Sequence, residues 1–298
     1  CYAFFLLSLI FSPAFKLRAQ ERFGFSVSPP SFEITANPGD RIENSVKIQN
    51  LSPNSLTINI KNENFYAYGN EGQITLTEDD STYSISDWIK YDQKTVTVNQ
   101  SESYTFNFVI EIPKDIEPGS HYGAIVFSTA DGVIQSTGAS VVQEIGAIVL
   151  IRVPGDIHEE GKLISFNPTE NVFADPTISL ESLIENIGTV HIKPYGAITV
   201  TDLFGNTIKT INIEGKNILP GSQRTFNQSF DFENIGIYRA NLQLFYKDGT
   251  QIISGETSFV SIYKDRLIPI IVVAVLLIAF YIIFRKRINK AVSIIVKG

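Results

Sequence analysis

The fold is decided by residues 45–61, SVKIQNLSPNSLTINIK. Within 45–49 and again within 56–61 every second residue is apolar, which is the period of a strand with one face on a core and the other in water. Residues 50–54, NLSPN, are typical of a turn because Asn, Ser and Pro readily adopt turn conformations. The segment therefore predicts two strands that are joined by a short connection and share one apolar face.

The same alternation recurs along most of the chain. In the first half we predict further strands at 32–36, 95–98, 104–112, 124–128 and 145–153. After a break at 154–156, PGD, the pattern predicts strands at 178–184, 197–202, 207–213, 224–230 and 238–246, with hairpin turns at 204–206 and 247–249. The predicted fold class is all-β, with two tandem immunoglobulin-like antiparallel β-sandwiches at 21–154 and 155–263 followed by one transmembrane helix.

Short matches between the two halves suggest an internal repeat. Residues 37–40, NPGD, precede a strand in the first half as residues 219–222, LPGS, do in the second. Asn50 and Asn186 each end a strand at a bend. Independent solutions to the same turn geometry would give the same matches, so both explanations remain open.

The transmembrane helix is predicted at 264–284. Residues 267–284 contain no charge and are followed at once by Arg285, Lys286 and Arg287. At about 1.5 Å per residue such a helix nearly spans the ~30 Å hydrocarbon core of a bilayer, whereas a buried core helix would be shorter and would not explain the basic cluster. Because Lys and Arg accumulate on the cytoplasmic side, we expect 285–298 to be a basic cytoplasmic tail.

The other end of the chain has the features of a secretory signal. Residues 1–11 are mostly apolar and the small residue Ala19 ends a short connecting stretch, so 1–20 is expected to be a signal peptide that lacks its basic start. The expected location is the cell membrane, crossed once, with the bulk of the chain outside the cytoplasm.

Charge and cysteine content restrict the possible functions. All 31 acidic residues and all but seven of the 24 basic residues lie between the signal and the tail, so the exported part has a net charge of −14. Such a charge argues against nucleic acid and anionic lipid headgroups as ligands, since both need a basic face. The only cysteine is Cys1, so no disulfide is expected in the exported part and the cores alone must hold the fold.

The sequence has no recognisable catalytic motif. The three histidines are scattered, no P-loop or G-x-S-x-G elbow is found, and no cofactor is expected. The acidic pairs Asp79-Asp80 and Glu159-Glu160 are expected to be solvated loop residues rather than hydrolytic carboxylates. Calcium at Glu71 and 78–80 is an alternative without the spacing of an EF-hand, so the prediction is a non-enzyme without a metal.

Several segments of the first half resemble the WxL-interacting proteins of Gram-positive surfaces. The resemblance covers most of the first predicted sandwich and rests on 38–40 (PGD), 46–50 (VKIQN), 87–89 (DWI), 112–113 (IP), 117–119 (EPG) and 122–127 (YGAIVF). It implies a first domain that binds peptidoglycan, a second that binds a partner surface protein of the WxL type, and a membrane anchor.

Aromatic residues are the candidate ligand-binding residues. Tyr66 and Tyr68 crowd a Gly-containing loop, and Trp88 follows an acidic turn. Rings with a polar tip suit glycan or protein surfaces because they combine a flat apolar face with a hydrogen bond. The sole tryptophan of such a sandwich is most often a core residue, so both roles stay open for Trp88.

Two functions of different classes follow. The first is a non-catalytic, membrane-anchored binding or scaffold protein that attaches to cell-wall peptidoglycan, to a partner surface protein, or to both, with one span in the lipid. The alternative is a chaperone-like module that handles exported subunits by β-strand addition, as two-sandwich pilus chaperones do.

Overall fold

The computed structural model of the chain describes residues 24–130, 133–134 and 140–297. Over this range the chain forms strands as far as Ser261, interrupted by a short 3-10 helix at Ser86–Trp88, and then one long helix. The predicted signal segment, residues 1–20, lies outside the described residues.

The first sandwich consists of two sheets built from the strands of the first half. These strands are β1 (Phe25–Ser28), β2 (Ser31–Thr35), β3 (Arg41–Asn50), β4 (Leu56–Tyr68), β5 (Gln73–Thr77), β6 (Ile89–Lys90), β7 (Thr95–Val98), β8 (Ser103–Glu111), β9 (Gly119–Thr129), β10 (Val133–Ile134), β11 (Ser140–Val141) and β12 (Glu144–Val153). One sheet has the order β1-β3-β8-β6 and the other β2-β12-β9-β4-β5, with β7 also paired to β4, while β10 and β11 form a separate hairpin. The core lies between the two larger sheets, where the alternation of 45–61 buries Val46, Ile48 and Ile58 completely.

The second sandwich repeats this two-sheet plan with fewer strands. Its strands are β13 (Gly161–Pro168), β14 (Val172–Phe173), β15 (Thr177–Asn186), β16 (Tyr195–Thr201), β17 (Thr207–Ile213), β18 (Gln223–Asp231), β19 (Gly236–Tyr246) and β20 (Gln251–Ser261). One sheet has the order β13-β15-β18 and the other β14-β20-β19-β16-β17. The predicted hairpins at 204–206 and 247–249 join β16 to β17 and β19 to β20, as expected.

The predicted fold class of two tandem sandwiches is confirmed, with one difference in pairing. Most strand pairs are antiparallel, but β2 runs parallel to β12 and the short β14 runs parallel to β20. At Pro29-Pro30 the chain passes from β1 in one sheet to β2 in the other, and prolines suit this position because they cannot donate to a ladder.

Asn50 and Asn186 have the same role in the two sandwiches. The Asn50 side chain donates to the carbonyls of Asn54 and Val98 and accepts the N–H of Ser52. Asn186 likewise donates to Val190 and Ile218 and accepts from Gly188. In both sandwiches the residue two positions on donates its N–H to the Asn side chain and the residue four positions on accepts from it with its carbonyl, which supports an internal repeat.

The turn of the first sandwich that corresponds to 219–222 is not the predicted turn at 37–40. The Asn186 N–H donates to the carbonyl of Ser222, and the Asn50 N–H donates to that of Glu102. Ser101 and Gly221, the residues before these acceptors, both have left-handed backbone, with φ of 60° and 69°. The equivalent of 219–222 is therefore 99–102 rather than 37–40, and the sequence missed it because Ser101 replaces the expected glycine.

The two sandwiches make direct contact through the outer face of the β2-β12-β9-β4-β5 sheet. Strand β9 is buried on both faces, with Ile125 and Phe127 in the first core. Its other face carries Tyr122, which packs with Phe65 and with Leu219 of the second sandwich in a smaller apolar cluster. Apolar burial thus joins the sandwiches as well as stabilising each of them.

Helix α1 (Lys264–Lys297) follows the second sandwich. Leu267–Arg285 has a mean hydropathy of 3.2 and is not buried by any other described part of the protein. The sequence predicted a helix only to residue 284, but the helix continues through the basic tail. An unburied apolar helix of this length and composition is long enough to cross a membrane.

Candidate functional site

Tyr66 and Tyr68 lie on a β-hairpin rather than in the loop that the sequence predicted. Strands β4 and β5 pair from Asn64 opposite Thr77 to Tyr68 opposite Gln73. Because side chains alternate along a strand, Phe65 turns inward, and its ring lies 5.0 Å from that of Tyr122. Tyr66 and Tyr68 point the other way and are 50% and 63% exposed.

The exposed side of this hairpin combines two phenol rings with two polar side chains. Thr75 is opposite Tyr66 and Gln73 is opposite Tyr68. Cross-strand partners share a face of the sheet, and residues two apart on a strand are about 7 Å apart. Tyr66, Tyr68, Gln73 and Thr75 therefore form one surface, the tyrosine face, with flat apolar rings next to a hydroxyl and an amide.

The second sandwich holds the tip of this hairpin. The Thr225 N–H donates to the carbonyl of Asn70 at 2.6 Å. The Arg224 guanidinium packs on Gly72 so closely that a Cβ there would lie 2.3 Å from its Cζ. Gly72 also has φ of +75°, a left-handed backbone conformation that favours glycine. The orientation of the tyrosine face is therefore fixed by both sandwiches.

Trp88 lies apart from the tyrosine face. It ends the short 3-10 helix, is 9% exposed and belongs to the core of the first sandwich. Its ring packs at 5.0 Å from that of His121. Of the three predicted ligand-binding residues, the structure brings together Tyr66 and Tyr68, and it places Trp88 where the alternative role as a core residue applies.

A cleft of about 340 Å³ separates the sandwiches next to the hairpin, and the sequence did not predict it. Phe65, Ile148 and Leu150 line it from the first sandwich, and Lys216 and Arg224 from the second. The Nε of Arg224 is buried and has no hydrogen-bond partner among the described residues. The cleft therefore has an apolar floor and a cationic wall.

A network of polar side chains around Glu33 joins the two sandwiches beside this cleft. The Glu33 carboxylate accepts from Lys193 at 2.7 Å and from Asn217 at 2.8 Å. Burial alone would raise the pKa of Glu33, but these two hydrogen bonds outweigh it and lower the pKa below its usual value. Arg152 pairs with Glu159 at 2.8 Å and also donates to the carbonyl of His191 at 3.0 Å. Glu159, predicted to be a solvated loop residue, is in fact held in a largely buried ion pair.

His191 is a buried histidine in the same contact. The Ser120 hydroxyl accepts the His191 backbone N–H at 2.8 Å and lies 2.5 Å from its Nδ1. A neutral ring with Nδ1 as the acceptor satisfies both groups. Burial first, and then the nearby charge of Arg152, lower the pKa of His191 to about 4.

The structure also describes the acidic segment 78–80 and the basic residues at the end of the apolar segment of α1. Asp80 accepts from the Asn64 side chain at 3.0 Å, and in the described ranges no three His, Cys, Asp or Glu side chains come together as a metal site requires. Arg285 ends the apolar segment of α1 and is exposed, and for Lys286 and Arg287 only the backbone is described.

The fold and the tyrosine face define a tandem β-sandwich protein with an exposed aromatic surface and a C-terminal apolar helix. Residues 27–129 match the family model described as WxL Interacting Protein, peptidoglycan binding domain. The match confirms the resemblance to the WxL-interacting proteins over this segment, which runs from β1 to the end of β9 and contains the tyrosine face.

The chain also resembles solved sandwich structures at low identity. The class 5 fimbriae chaperone CfaA is 14% identical at a TM-score of 0.42, and the alignment covers 80% of this chain and 99% of that one. The CsuC–CsuE chaperone-tip adhesion subunit complex of Acinetobacter baumannii is 10% identical at a TM-score of 0.40, with 80% of this chain and 99% of that one covered. The PapD-like domain of human CEP192 is 6% identical at a TM-score of 0.31, with 49% of this chain and 95% of that one covered. No curated protein matches the chain. At such identities and TM-scores, no conclusion about function follows from these structures.

Proposed function

We propose that this protein is a membrane-anchored, non-catalytic surface protein that binds cell-wall peptidoglycan through its first sandwich. The observation that carries the proposal is the match of residues 27–129 to a peptidoglycan-binding domain family. The protein would then act as a binding or scaffold component that links the membrane to the wall.

The tyrosine face is the proposed contact surface. Sugar rings have an apolar side that stacks on aromatic rings, and hydroxyls and amides that bond to polar groups. Tyr66 and Tyr68 offer both kinds of contact, and Gln73 and Thr75 add hydrogen-bonding groups. Two side chains with few rotatable bonds lose little entropy on binding, which favours this surface over flexible charged ones.

Helix α1 is the proposed anchor. Its apolar segment of 19 residues rises by about 28 Å, close to the ~30 Å of the hydrocarbon core. Arg285 ends this segment and Lys286 and Arg287 follow it, so the tail would be cytoplasmic and both sandwiches would face the wall.

Sedimentation of the full chain in mild detergent with purified peptidoglycan sacculi tests the contact surface. Replacing both Tyr66 and Tyr68 with Ala is expected to weaken binding about 10-fold or more, since each ring at a contact centre contributes about 1 kcal/mol. Tyr195→Ala is the matched control because Tyr195 is a similarly exposed tyrosine on the second sandwich. Equal affinity of the double variant and the control would exclude the tyrosine face.

The cleft between the sandwiches is the proposed place for a partner surface protein. Its cationic wall and apolar floor favour an acidic segment that also carries apolar side chains. Lys216 forms no ion pair within the described residues, and its Nζ lies 5.9 Å from the centroid of the Phe226 ring, so a ligand carboxylate would compete with this cation–π contact alone.

A labelled pool of Leu-rich pentapeptides containing Glu, compared with a pool containing Gln, tests the cleft by fluorescence anisotropy. We expect the Glu pool to bind better and Lys216→Gln to weaken it about threefold, as for a partly exposed ion pair. Lys47→Gln removes the same charge from an exposed position on β3 and should change nothing. Equal binding of the two pools, or equal effects of the two variants, would contradict the assignment.

A further inference from the structure

The turn between β16 and β17 exposes two large apolar side chains. Phe204 is 91% exposed and Leu203 is 57% exposed. Single exposed apolar residues are common on soluble proteins, but a Leu-Phe pair at the tip of a turn has a large unburied apolar area. Neither residue contributes to the core of the second sandwich.

This turn is rigidly built. The Asp202 carboxylate accepts the backbone N–H groups of Phe204 and Asn206 at 2.9 Å each, and its other oxygen accepts from the Asn206 side chain at 2.9 Å. Gly205 supplies the left-handed backbone, with φ of 86°. The Leu203 and Phe204 side chains are therefore held outward by the turn.

The turn lies at the end of the sandwich from which helix α1 leaves. In the sheet, Thr201 pairs with Arg239 and Arg239 pairs with Ser258, while Gly236 pairs with Ser261 at the edge. The turn after β16 thus extends from the level of Arg239 toward that of Ser261.

The helix is tied closely to that end. The Ile262 N–H still donates to the carbonyl of Phe173 in the sheet, at 2.9 Å, and α1 begins at Lys264. Two residues of extended chain span at most about 7 Å, so the helix starts next to this end of the sandwich whatever the angle between them.

Further apolar side chains are exposed near the same end. Ile237 and Val172 both pair with Val260, one residue before the end of β20, and both are exposed. Ile235 lies in the neighbouring turn and is exposed as well. An apolar surface next to the point where an apolar helix begins is suited to the boundary between lipid headgroups and acyl chains.

We infer that this end of the second sandwich contacts the lipid bilayer that holds α1, with Leu203 and Phe204 inserted into the headgroup layer. The inference rests on the proposed membrane anchor. It adds a second point of attachment, which would limit the tilt of the protein. Strand β16 begins at Tyr195, next to the contact with the first sandwich, and ends at this turn, so the first sandwich would be held away from the membrane.

Tryptophan fluorescence in vesicles containing brominated phosphatidylcholine tests the inference, since bromine quenches only nearby rings. In the full chain with Trp88→Phe, one tryptophan is introduced at a time, by Phe204→Trp, Phe280→Trp or Tyr195→Trp. Tyr195 is the matched control because it is an exposed aromatic residue at the opposite end of β16. We expect strong quenching for Phe280→Trp, a loss of at least about a third for Phe204→Trp, and almost none for Tyr195→Trp.

The outcomes separate the inference from the anchor. Quenching of Phe280→Trp with equal, weak quenching of Phe204→Trp and Tyr195→Trp would overturn the inference and leave the anchor in place. Absence of quenching for Phe280→Trp would overturn both. If Trp88→Phe disturbs the core, single cysteines at the same three positions in a chain with Cys1→Ser, labelled with an environment-sensitive fluorophore, give the same comparison with Trp88 in place.

Discussion

Replacing Asn50 with Ala is expected to lower the free energy of unfolding of the first sandwich by about 3 kcal/mol. The Asn50 side chain is buried and donates to the carbonyls of Asn54, Val98 and Asn99, at 2.8, 2.9 and 3.1 Å, and accepts the N–H of Ser52 at 2.8 Å. Alanine would leave the carbonyls of Asn54 and Val98 and the N–H of Ser52 without this partner, while the Asn99 carbonyl would keep the Glu102 N–H. Each buried unsatisfied group costs about 1 kcal/mol or more.

The measurement is urea-induced unfolding of the full chain in mild detergent, followed by the fluorescence of Trp88. Trp88 lies in the core of the first sandwich and is the only tryptophan, so its signal reports on that sandwich alone. Asn107→Ala is the control because Asn107 is exposed on β8. A loss for Asn50→Ala no larger than that of the control would show that the hydrogen bonds around Asn50 do not hold the sandwich together.

Lowering the pH from 7 to 5 is expected to cost the protein about 2 kcal/mol of stability through His191. The pKa of His191 in the folded protein is about 4, below the ordinary value of 6.5, because of burial and the charge of Arg152. As the pH falls below 6.5, the unfolded chain binds a proton that the folded chain does not bind. The contribution of His191 to the free energy of unfolding is therefore fully present above pH 6.5 and is lost progressively until the pH reaches about 4.

Urea midpoints from circular dichroism at pH 7, 6 and 5 measure this effect, with His191→Gln as the comparison. Carboxylates titrate in both proteins, so the difference between their two slopes of stability against pH gives the contribution of His191. We expect the variant to lose about 2 kcal/mol less than the unchanged protein over this range, even if it starts from a lower stability. Parallel slopes would mean that the buried ring does not control the pH dependence.

The strands with regular alternation could be predicted from the sequence, and those with local exceptions could not. Strand β20 was missed because Gly255 interrupts it, at a position where a Cβ would lie 2.5 Å from the Leu163 side chain. Strand β13 was missed because a register shift between Leu163 and Ser165 breaks its alternation. These exceptions are set by tertiary packing, which a local pattern does not contain.

The candidate site was predicted only in part for a similar reason. The aromatic composition of 65–68 identified Tyr66 and Tyr68, but the pairing that places them beside Gln73 and Thr75 depends on the β4–β5 register. The cleft combines residues more than 60 positions apart in sequence, such as Leu150 and Lys216, so no single segment indicates it. The exposure of Phe204 likewise emerges only once the register of β16 is known.

The most direct test of the account is the equilibrium binding of the unchanged full chain, in mild detergent, to purified peptidoglycan sacculi. The account predicts saturable binding that is abolished when the sacculi are first digested with a muramidase, since the first sandwich is proposed to recognise the intact glycan. Binding that fails to saturate or survives digestion, or no binding at all, would contradict the proposed function.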